Sequence, residues 1–327
     1  MSGIDIKLLD HRDDSSFNQN FVNIQFSGKS MNHIIMNSIR RAILDEVPSN
    51  AFNPDKMIIS ENSSVYNNDY LRNRFEQFPL IGVDKKFDLD EYEKLRKGKV
   101  EVRDEDDEEE NIEEESLITL YCDKENKTDE YMSITSDDVE FYMKDKLIDS
   151  IYKNPILICK LKPGEKLKFS AKSDLGLALK HARYAVAACY FEYEDESKYK
   201  FNLEPRGQIS SSEVIKRALQ ILSHRMEEFK KKINKIKFTN ENQGKITLQN
   251  EDHTLGNLIG RGLQDHKNIE FAGYKLEHLL IRDLIIEYVT DGGKGINEIL
   301  NDVVLYYQKI FKELEKKIDT LKLNKKK

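Results

Sequence analysis

The chain has 327 residues, 34% of them charged and 39% hydrophobic, which is enough for two or three domains with a sizeable core. A formal net charge of −7 argues against tight direct binding to nucleic acid, because such proteins usually carry a basic face. The longest apolar run, residues 184–191, is too short to span a membrane, and the acidic N-terminal segment predicts no export signal.

Three cysteines stand far apart in the sequence, at Cys122, Cys159 and Cys189. Their separation excludes a disulfide framework and any metal site of the CxxC type. We therefore expect three buried thiols in a reducing compartment, with no metal and no cofactor.

The first predicted element is a half-buried strand over residues 22–26, where apolar and polar residues alternate, and Ser27 and Gly28 predict the turn after it. Helical spacing of apolar residues follows over 31–42, with Ser30 as the candidate N-cap. Pro48 ends this helix because the residue before a proline is disfavoured in helical geometry. Residues 1–50 thus begin a unit with the order strand, turn, helix.

Residues 51–196 have a different pattern, with short β-like segments separated by long polar loops. They predict a mixed, mostly β domain inserted into the first unit. Residues 104–115 contain ten acids, and such a block predicts a disordered loop near 103–116. The alternative is that this loop attracts a basic partner.

The first unit resumes over residues 197–236, with an alternating strand and then a long amphipathic helix after the Ser210–Glu213 capping box. Residues 237–327 predict a strand, a short helix, two strands and a last helix whose apolar stripe runs about seven turns. One helix cannot bury so long a stripe alone. Its simplest partner is the helix that begins after Ser210.

An internal repeat links the two parts of the chain. Residues 31–45 align with 251–265 at a constant offset of 220, giving five identities that chance alone could also produce. The identical pairs are His33 and His253, Asn37 and Asn257, Ile39 and Ile259, Arg41 and Arg261, and Asp45 and Asp265. Because the order of elements also matches, we predict two similar units packed about an approximate two-fold axis.

Several segments of both halves carry a family resemblance. The segments are, in the first half, residues 37–41 (NSIRR), 46–48 (EVP), 61–65 (ENSSV), 74–75 (RF), 78–80 (FPL), 181–184 (HARY) and 205–207 (PRG), and, in the second half, 251–258 (EDHTLGNL), 271–275 (FAGYK) and His278. The first half resembles the bacterial RNA polymerase alpha subunit, the archaeal D subunit and the third-largest subunit of RNA polymerase II. The second half resembles the archaeal L subunit and the eleventh subunit of RNA polymerase II. The whole chain resembles fused alpha-like subunits of large DNA viruses of eukaryotes.

The resemblance implies an α+β fold with two alpha-like dimerisation units that form an intramolecular pseudo-dimer. The D-like unit would comprise residues 1–50 and 197–236, the mixed domain 51–196 would be inserted in it, and 237–327 would form the L-like unit. The cysteine cluster that some family members use for a metal or iron–sulfur centre is missing here. We likewise expect no counterpart of the DNA-binding C-terminal domain of bacterial alpha.

The resemblance further implies a non-catalytic assembly platform of a multisubunit DNA-directed RNA polymerase. Its partners would be the largest and second-largest subunits and small polymerase subunits, with DNA reached only through the complex and no membrane partner. For a viral polymerase we expect the host cytoplasm, in the viral factory, and the virion as a further location. Otherwise the chain would reside with its polymerase in the nucleus or cytoplasm.

Two groups of site residues follow from these expectations. An arginine presents a planar fork of donors that suits bidentate pairing at an interface, although solvated helix charges are the plainer interpretation. The candidate contacts to the large subunits are Asn37, Arg40, Arg41, Arg183 and Tyr184. The candidate residues of the pseudo-dimer interface or core are Ile34, Ile39, Leu222, His253, Leu255, Asn257, Leu258, Val303 and Phe311.

No catalytic motif is found. The histidines lack metal-ligand spacing, and residues 292–295 (GGKG) lack the spacing of a phosphate-binding loop. By resemblance, the aspartates that hold magnesium belong to the largest polymerase subunit. Two alternatives stay open, a stand-alone nucleic-acid-binding transcription regulator and a small-molecule enzyme built on residues 51–196.

Overall fold

The computed structural model describes residues 3–14, 19–83, 86–98, 117–236, 238, 240–277 and 283–321. The acidic loop expected near 103–116 lies outside these described residues, and so does His278. In the described part of the chain, no helix combines the length and apolar character that crossing a membrane would require.

The elements are given in chain order, and the two halves of the chain are the part up to residue 236 and the part from residue 237. Up to residue 176 the elements are β1 (Asp5–Asp14), β2 (Gln19–Ser27), α1 (His33–Arg41), β3 (Ser49–Phe52), β4 (Ile58–Asn62), α2 (Asn68–Glu76), α3 (Leu89–Lys97), β5 (Ile118–Glu125), β6 (Met132–Thr135), β7 (Glu140–Met143), β8 (Lys146–Ile148), β9 (Leu157–Leu161) and β10 (Lys166–Gly176). The remaining elements are β11 (Ala187–Asp195), β12 (Lys198–Pro205), α4 (Ser211–Ile233), β13 (Gln243–Leu248), α5 (His253–Gln264), β14 (Ile269–Leu276), β15 (Leu284–Thr290) and α6 (Ile296–Thr320). A π-helical turn, Ala42–Glu46, extends α1.

Two antiparallel sheets flank the helices that join the halves. The first sheet has the order β1-β2-β12-β11 and the second the order β13-β15-β14. In the first sheet, Asn23 of β2 lies opposite Asn202 of β12, so the alternating apolar residues of both strands face the helices together. This register places Val22, Ile24 and Leu203 in the core.

The helices begin where side-chain oxygens can accept their free backbone N–H groups. Asn32, not the predicted Ser30, is the N-cap of α1, and its Oδ1 accepts from Ile35 N at 2.9 Å. Ser210 caps α4 as predicted, by accepting from Glu213 N. Asp252 caps α5 by accepting from the backbone N–H groups of Thr254 and Leu255.

The middle of the chain forms a sheet of six strands in the order β3-β10-β5-β7-β8, with β4 also paired to β10, and a smaller β6–β9 pair. These strands and α2 enclose a separate core centred on Phe75, Phe141 and Phe169. We call residues 49–176 without α3 the inserted domain. The turn expected at Pro163 and Gly164 lies between β9 and β10, and Gly164 has a φ of +77°, which favours glycine.

The packing of two elements differs from the predicted insert boundaries of 51 and 196. Strand β11 pairs with β12 in the first sheet and places Ala187 and Cys189 in the core of the first unit. Helix α3 also leaves the insert, because its Tyr92 is buried in that same core. The apolar run over 184–191 resembles the strands before it, so sequence pattern alone could not assign it to the other sheet.

Candidate functional site

A single hydrophobic core joins the two halves of the chain. Helix α4 packs along α6 and covers the long apolar stripe of α6, as predicted. Helix α1 packs against α5. We call this contact between α1 and α4 of the first half and α5 and α6 of the second half the central interface. Among the predicted interface residues, this core contains Ile39, Leu222, Leu255, Leu258, Val303 and Phe311, all buried, and the half-buried Ile34 packs against it.

Close packing between α5 and α6 depends on a glycine. A Cβ placed on Gly262 would lie 2.4 Å from Cγ1 of Val303 and 2.9 Å from Cε2 of Tyr307. These distances are too short for any side chain, so only glycine permits this approach. On the face of α5 that packs against α6, position 262 therefore does not accept a larger residue without a shift of its neighbours.

A buried arginine forms the polar centre of the central interface. The Arg225 side chain is 3% exposed and donates to Glu46 Oε1 at 2.6 Å, Glu251 Oε2 at 3.0 Å and Asp252 Oδ1 at 2.8 Å. Glu46 and Arg225 belong to the first half, and the two other carboxylates precede α5 in the second. We call these four residues the Arg225 cluster. It ties the halves together through charge-assisted hydrogen bonds.

Further side chains from both halves surround the carboxylates of this cluster. Arg96 of α3 donates to Glu251 Oε2 at 2.9 Å, and Lys232 of α4 donates to Glu251 Oε1 at 2.7 Å. The Tyr92 hydroxyl donates to Glu46 Oε2 at 2.5 Å. Helix α3 thus contacts the first half through Glu46 and the second half through Glu251.

Nearby charges shift the pKa values of Glu251, Asp252 and Arg225. Burial opposes ionisation of the two carboxyl groups, but Arg225 together with Arg96 and Lys232 around Glu251, and together with Arg41 beside Asp252, outweighs it and holds both pKa values below their usual range. Burial also opposes the charge of Arg225, yet the three carboxylates hold its pKa well above its ordinary value. Arg225, Glu251 and Asp252 are therefore charged at neutral pH.

The two predicted docking arginines of α1 have different surroundings. Arg41 Nε donates to Thr254 Oγ1 at 2.8 Å, and its Nη2 lies 3.4 Å from Asp252 Oδ2, so its guanidinium bridges the two halves. Arg40 is half-buried, and its Nε and Nη2 donate to Asn37 Oδ1 at 3.0 and 2.9 Å. The Arg41 guanidinium is therefore bonded to the other half of the same chain, and Asn37 orients the Arg40 guanidinium.

The predicted contacts Arg183 and Tyr184 lie where the inserted domain meets the first unit. The Tyr184 hydroxyl donates to Asp174 Oδ1 at 2.7 Å, and Ser49 Oγ donates to the Tyr184 carbonyl at 2.7 Å. The Arg183 guanidinium lies over the Tyr184 ring, 5.4 Å from its centroid, and its Nη1 is 3.9 Å from Glu76 Oε1. Tyr184 is buried and Arg183 is half-buried, so both stand apart from the Arg225 cluster.

The two remaining predicted residues lie on α5. His253, which was predicted at the interface or in the core, is exposed and lies outside that core, and its Nδ1 is 3.3 Å from the Tyr274 hydroxyl. Asn257, the repeat-related partner of Asn37, is half-buried. The related pair Arg261 and Asp265 forms an exposed ion pair within α5, unlike Arg41, which crosses the interface.

Sequence reasoning did not identify Arg225 or Glu251. A signal for Arg225 was available, because it stands between Leu222, Met226 and Phe229 on the apolar face of α4. A charge on such a face indicates a buried ionic partner. The partners come from residues 46 and 251–252, however, and no local pattern connects these positions.

Within the described ranges of the chain, one group of side chains has metal-ligand character. Ligand atoms of Glu93, His224 and Glu228 lie within 4.8 Å of one another. Glu93 accepts from His224 Nε2 at 2.9 Å and pairs with Lys97, and Glu228 accepts from Lys231 at 2.7 Å. These hydrogen bonds account for the arrangement, and the two ammonium groups disfavour a further cation.

The fold and the central interface define a class of protein in which two alpha-like dimerisation units pair within one polypeptide. Residues 25–226 and residues 243–317 each match a family described as the RNA polymerase Rpb3/Rpb11 dimerisation domain. The chain belongs to this Rpb3/Rpb11 dimerisation family of RNA polymerase subunits. The predicted resemblance and the predicted fold class are confirmed.

Known relatives match both the whole chain and its parts. A "Putative DNA directed RNA polymerase subunit R470" of Acanthamoeba polyphaga mimivirus is 28% identical over 336 residues, covering 95% of this chain and 92% of the relative. The RNA polymerase subunit Rpo11 of Metallosphaera sedula is 38% identical over 79 residues, 23% of this chain and 88% of the relative. Rpo3 of Pyrococcus furiosus is 26% identical over 194 residues, 59% of this chain and 60% of the relative. The chain is therefore similar to an Rpo3-type and an Rpo11-type subunit in one polypeptide.

Proposed function

We propose that this chain is a non-catalytic assembly platform of a multisubunit DNA-directed RNA polymerase and that it docks the two largest subunits. The observation that carries the proposal is the continuous core and the Arg225 cluster between the halves. Because both dimerisation units belong to one polypeptide, the pairing step is intramolecular and independent of chain concentration. The platform is therefore complete before any large subunit binds.

Arg40 is the best candidate for the contact with the second-largest subunit. Arg41 is engaged with Thr254 and Asp252, whereas among the described residues the Arg40 side chain is hydrogen-bonded only to Asn37, one helical turn away. That bond fixes the direction of the Arg40 guanidinium and so lowers the entropy cost of pairing it with a partner carboxylate. The largest subunit would bind elsewhere on the pseudo-dimer.

The mimivirus relative supports a viral polymerase. For this polymerase we propose assembly in the host cytoplasm and packaging into the virion. Antibodies against the chain should then detect it both in cytoplasmic viral factories and in purified particles. Staining confined to the nucleus would contradict this part of the proposal.

Co-expression of the tagged chain with the two largest subunits of its polymerase tests the docking proposal. The wild-type chain should retain both subunits through affinity purification and size exclusion. Arg40→Glu should reduce retention of the second-largest subunit at least tenfold and leave the largest subunit bound. Arg12→Glu, which reverses an exposed arginine of β1, is the matched control and should retain both.

Two results would contradict the proposal. Retention of both subunits by Arg40→Glu at the wild-type level would reject the assigned contact. Failure of the wild-type chain to retain either subunit, together with binding of duplex DNA in low salt, would favour the stand-alone regulator instead.

A further inference from the structure

The two longest helices of the central interface share one pattern of buried residues. Helices α4 and α6 begin directly after their N-caps, Ser210 and Gly295, so position 225 of α4 corresponds to position 310 of α6. Buried apolar residues coincide along the two helices in this alignment. The coincident pairs include Ile215 with Leu300, Met226 with Phe311, Phe229 with Leu314 and Ile233 with Ile318. The repeat between α1 and α5 therefore extends to a second pair of helices.

Polar contacts between these two helices are symmetric about one position. Three side-chain contacts join them, namely Lys216 with Asp319, Gln220 with Glu315 and Glu227 with Gln308. In the alignment, the three α6 residues correspond to positions 234, 230 and 223 of α4, so every contact is centred on position 225. The helices are therefore antiparallel, and their symmetry places Arg225 and Ile310 opposite each other at an approximate two-fold axis.

The two sides of this axis carry different charges. Glu251 and Asp252 precede α5 at the positions that Met31 and Asn32 occupy before α1. Asp252 and Asn32 are both N-caps of their helices, so the local structure is the same and only the charge differs. The first half thus supplies the arginine at the axis, and the second half supplies two of the carboxylates that this arginine binds.

Pairing of two first halves from different chains would bring two arginines to the same axis. Each Arg225 would keep Glu46, which belongs to its own half. Met31 and Asn32 of the other copy would replace its two remaining carboxylate partners. A buried guanidinium with unmet donors beside a second buried guanidinium is strongly unfavourable. Two first halves are therefore poorly matched to each other.

Pairing of two second halves would bury carboxylates with no arginine at the axis. Ile310 would face its own copy, and the two carboxylates before α5 would lose Arg225 in both halves. By the repeat, Lys317 and Arg261 could take the places of the outer lysine and arginine that flank the cluster, but no residue replaces the central arginine. The Glu251 side chain is only 4% exposed, so its charge would be buried without its main partner.

We propose that the Arg225 cluster determines pairing specificity, so that each dimerisation unit pairs with the unlike unit and rejects a second copy of itself. One arginine at the axis is matched by carboxylates from both halves, whereas two arginines or none leave buried charges unmatched. The cluster thereby excludes self-pairing between copies of the chain and makes the two sides of the pseudo-dimer unequal. This specificity goes beyond the proposed function and does not depend on the docking of large subunits.

Exchange of halves between cut chains tests this proposal. The folded chain is cut at a protease site introduced near residue 240, its halves are separated in urea and refolded together by dilution, and native mass spectrometry counts the pairs. Halves that associate without preference give equal totals of like and unlike pairs. The wild-type halves should give at least a twentyfold excess of unlike pairs. Equal totals for the wild-type halves would overturn the proposal.

Exchanging the residues before α5 tests the contribution of the carboxylates. Glu251→Met combined with Asp252→Asn gives the second half the residues of positions 31 and 32 and keeps an N-cap on α5. The excess of unlike pairs should fall at least fivefold, and pairs of second halves should appear. Glu270→Met combined with Asp265→Asn removes the same two charges from exposed positions, is the matched control and should keep the excess. Equal losses for the two double variants would reject the assigned residues.

Arg225→Ile tests the other side of the same interaction and decides the matter if the double variant does not fold before cutting. It gives the first half the residue of position 310, and the excess of unlike pairs should again fall at least fivefold. Combining all three substitutions should lower the excess no further than the larger single effect, because the arginine and the carboxylates act as one interaction. Losses that simply add, or an unchanged excess for Arg225→Ile, would overturn the proposal.

Discussion

Replacing Arg225 with methionine tests how strongly the polar cluster holds the halves together. Arg225→Met keeps much of the side-chain volume but removes hydrogen bonds of 2.6, 2.8 and 3.0 Å to three carboxylates. Removing one member of a buried ion cluster leaves uncompensated charge and costs about 3–5 kcal/mol. The lower end is the better expectation, because Glu251 retains Arg96 and Lys232, and Asp252 retains Arg41.

Urea unfolding at pH 7, followed by circular dichroism at 222 nm, measures this loss. The signal reports mainly on the central interface because α4 and α6 are the longest helices in the described structure. The free energy of unfolding should fall by about 3 kcal/mol or more with little change in the urea dependence. Arg261→Met, which breaks an exposed ion pair on α5, should cost at most about 1 kcal/mol. Equal losses for the two variants would refute the reasoning.

Three further predictions follow from the same contacts. The pKa values of Glu251 and Asp252 are depressed in the folded chain, so the unfolded chain binds protons first as the pH falls. The contribution of these two carboxylates to folding stability is therefore complete above about pH 4.5 and declines below it. Urea midpoints from pH 7 to 3 should show this decline, and Arg225→Met should flatten it. Gly262→Ala should lower the free energy of unfolding by about 1–3 kcal/mol, because the new Cβ overpacks against Val303. Gly260→Ala should lower it less, since its Cβ would meet its nearest neighbour at 3.2 Å. Thermal unfolding of the two variants compares these losses. Burial raises the pKa values of the three cysteine thiols to about 11–12. A thiol-specific dye at pH 8 should therefore label none of them in the folded chain and all three in urea. Rapid labelling without urea would contradict their burial.

Local sequence pattern predicted the elements that build the central interface. Alternation predicted β2 and β12, and helical spacing predicted α1, α4 and α6. The unpaired stripe of α6 predicted its partner α4, because an apolar surface of that length must be covered. The repeat at an offset of 220 placed α1 and α5 in equivalent positions, and the structure brings them into contact.

Features that depend on distant residues were not predictable. Arg41 was predicted to contact a large subunit, and only the fold shows that Thr254 and Asp252 lie within its reach. Strand β11 has the composition of the strands before it, but its hairpin with β12 places it in the first sheet. Helix α3 belongs by sequence to the insert, yet Arg96 contacts Glu251 across 155 positions.

Cleavage between the halves tests the central claim, an intramolecular pseudo-dimer, most directly. A protease site introduced near residue 240, between α4 and β13, allows the intact folded chain to be cut into two fragments. Because the fragments share one core and the Arg225 cluster, they should elute together at the mass of the uncut chain and separate only in denaturant. Fragments that elute separately in native buffer after cleavage would contradict the claim.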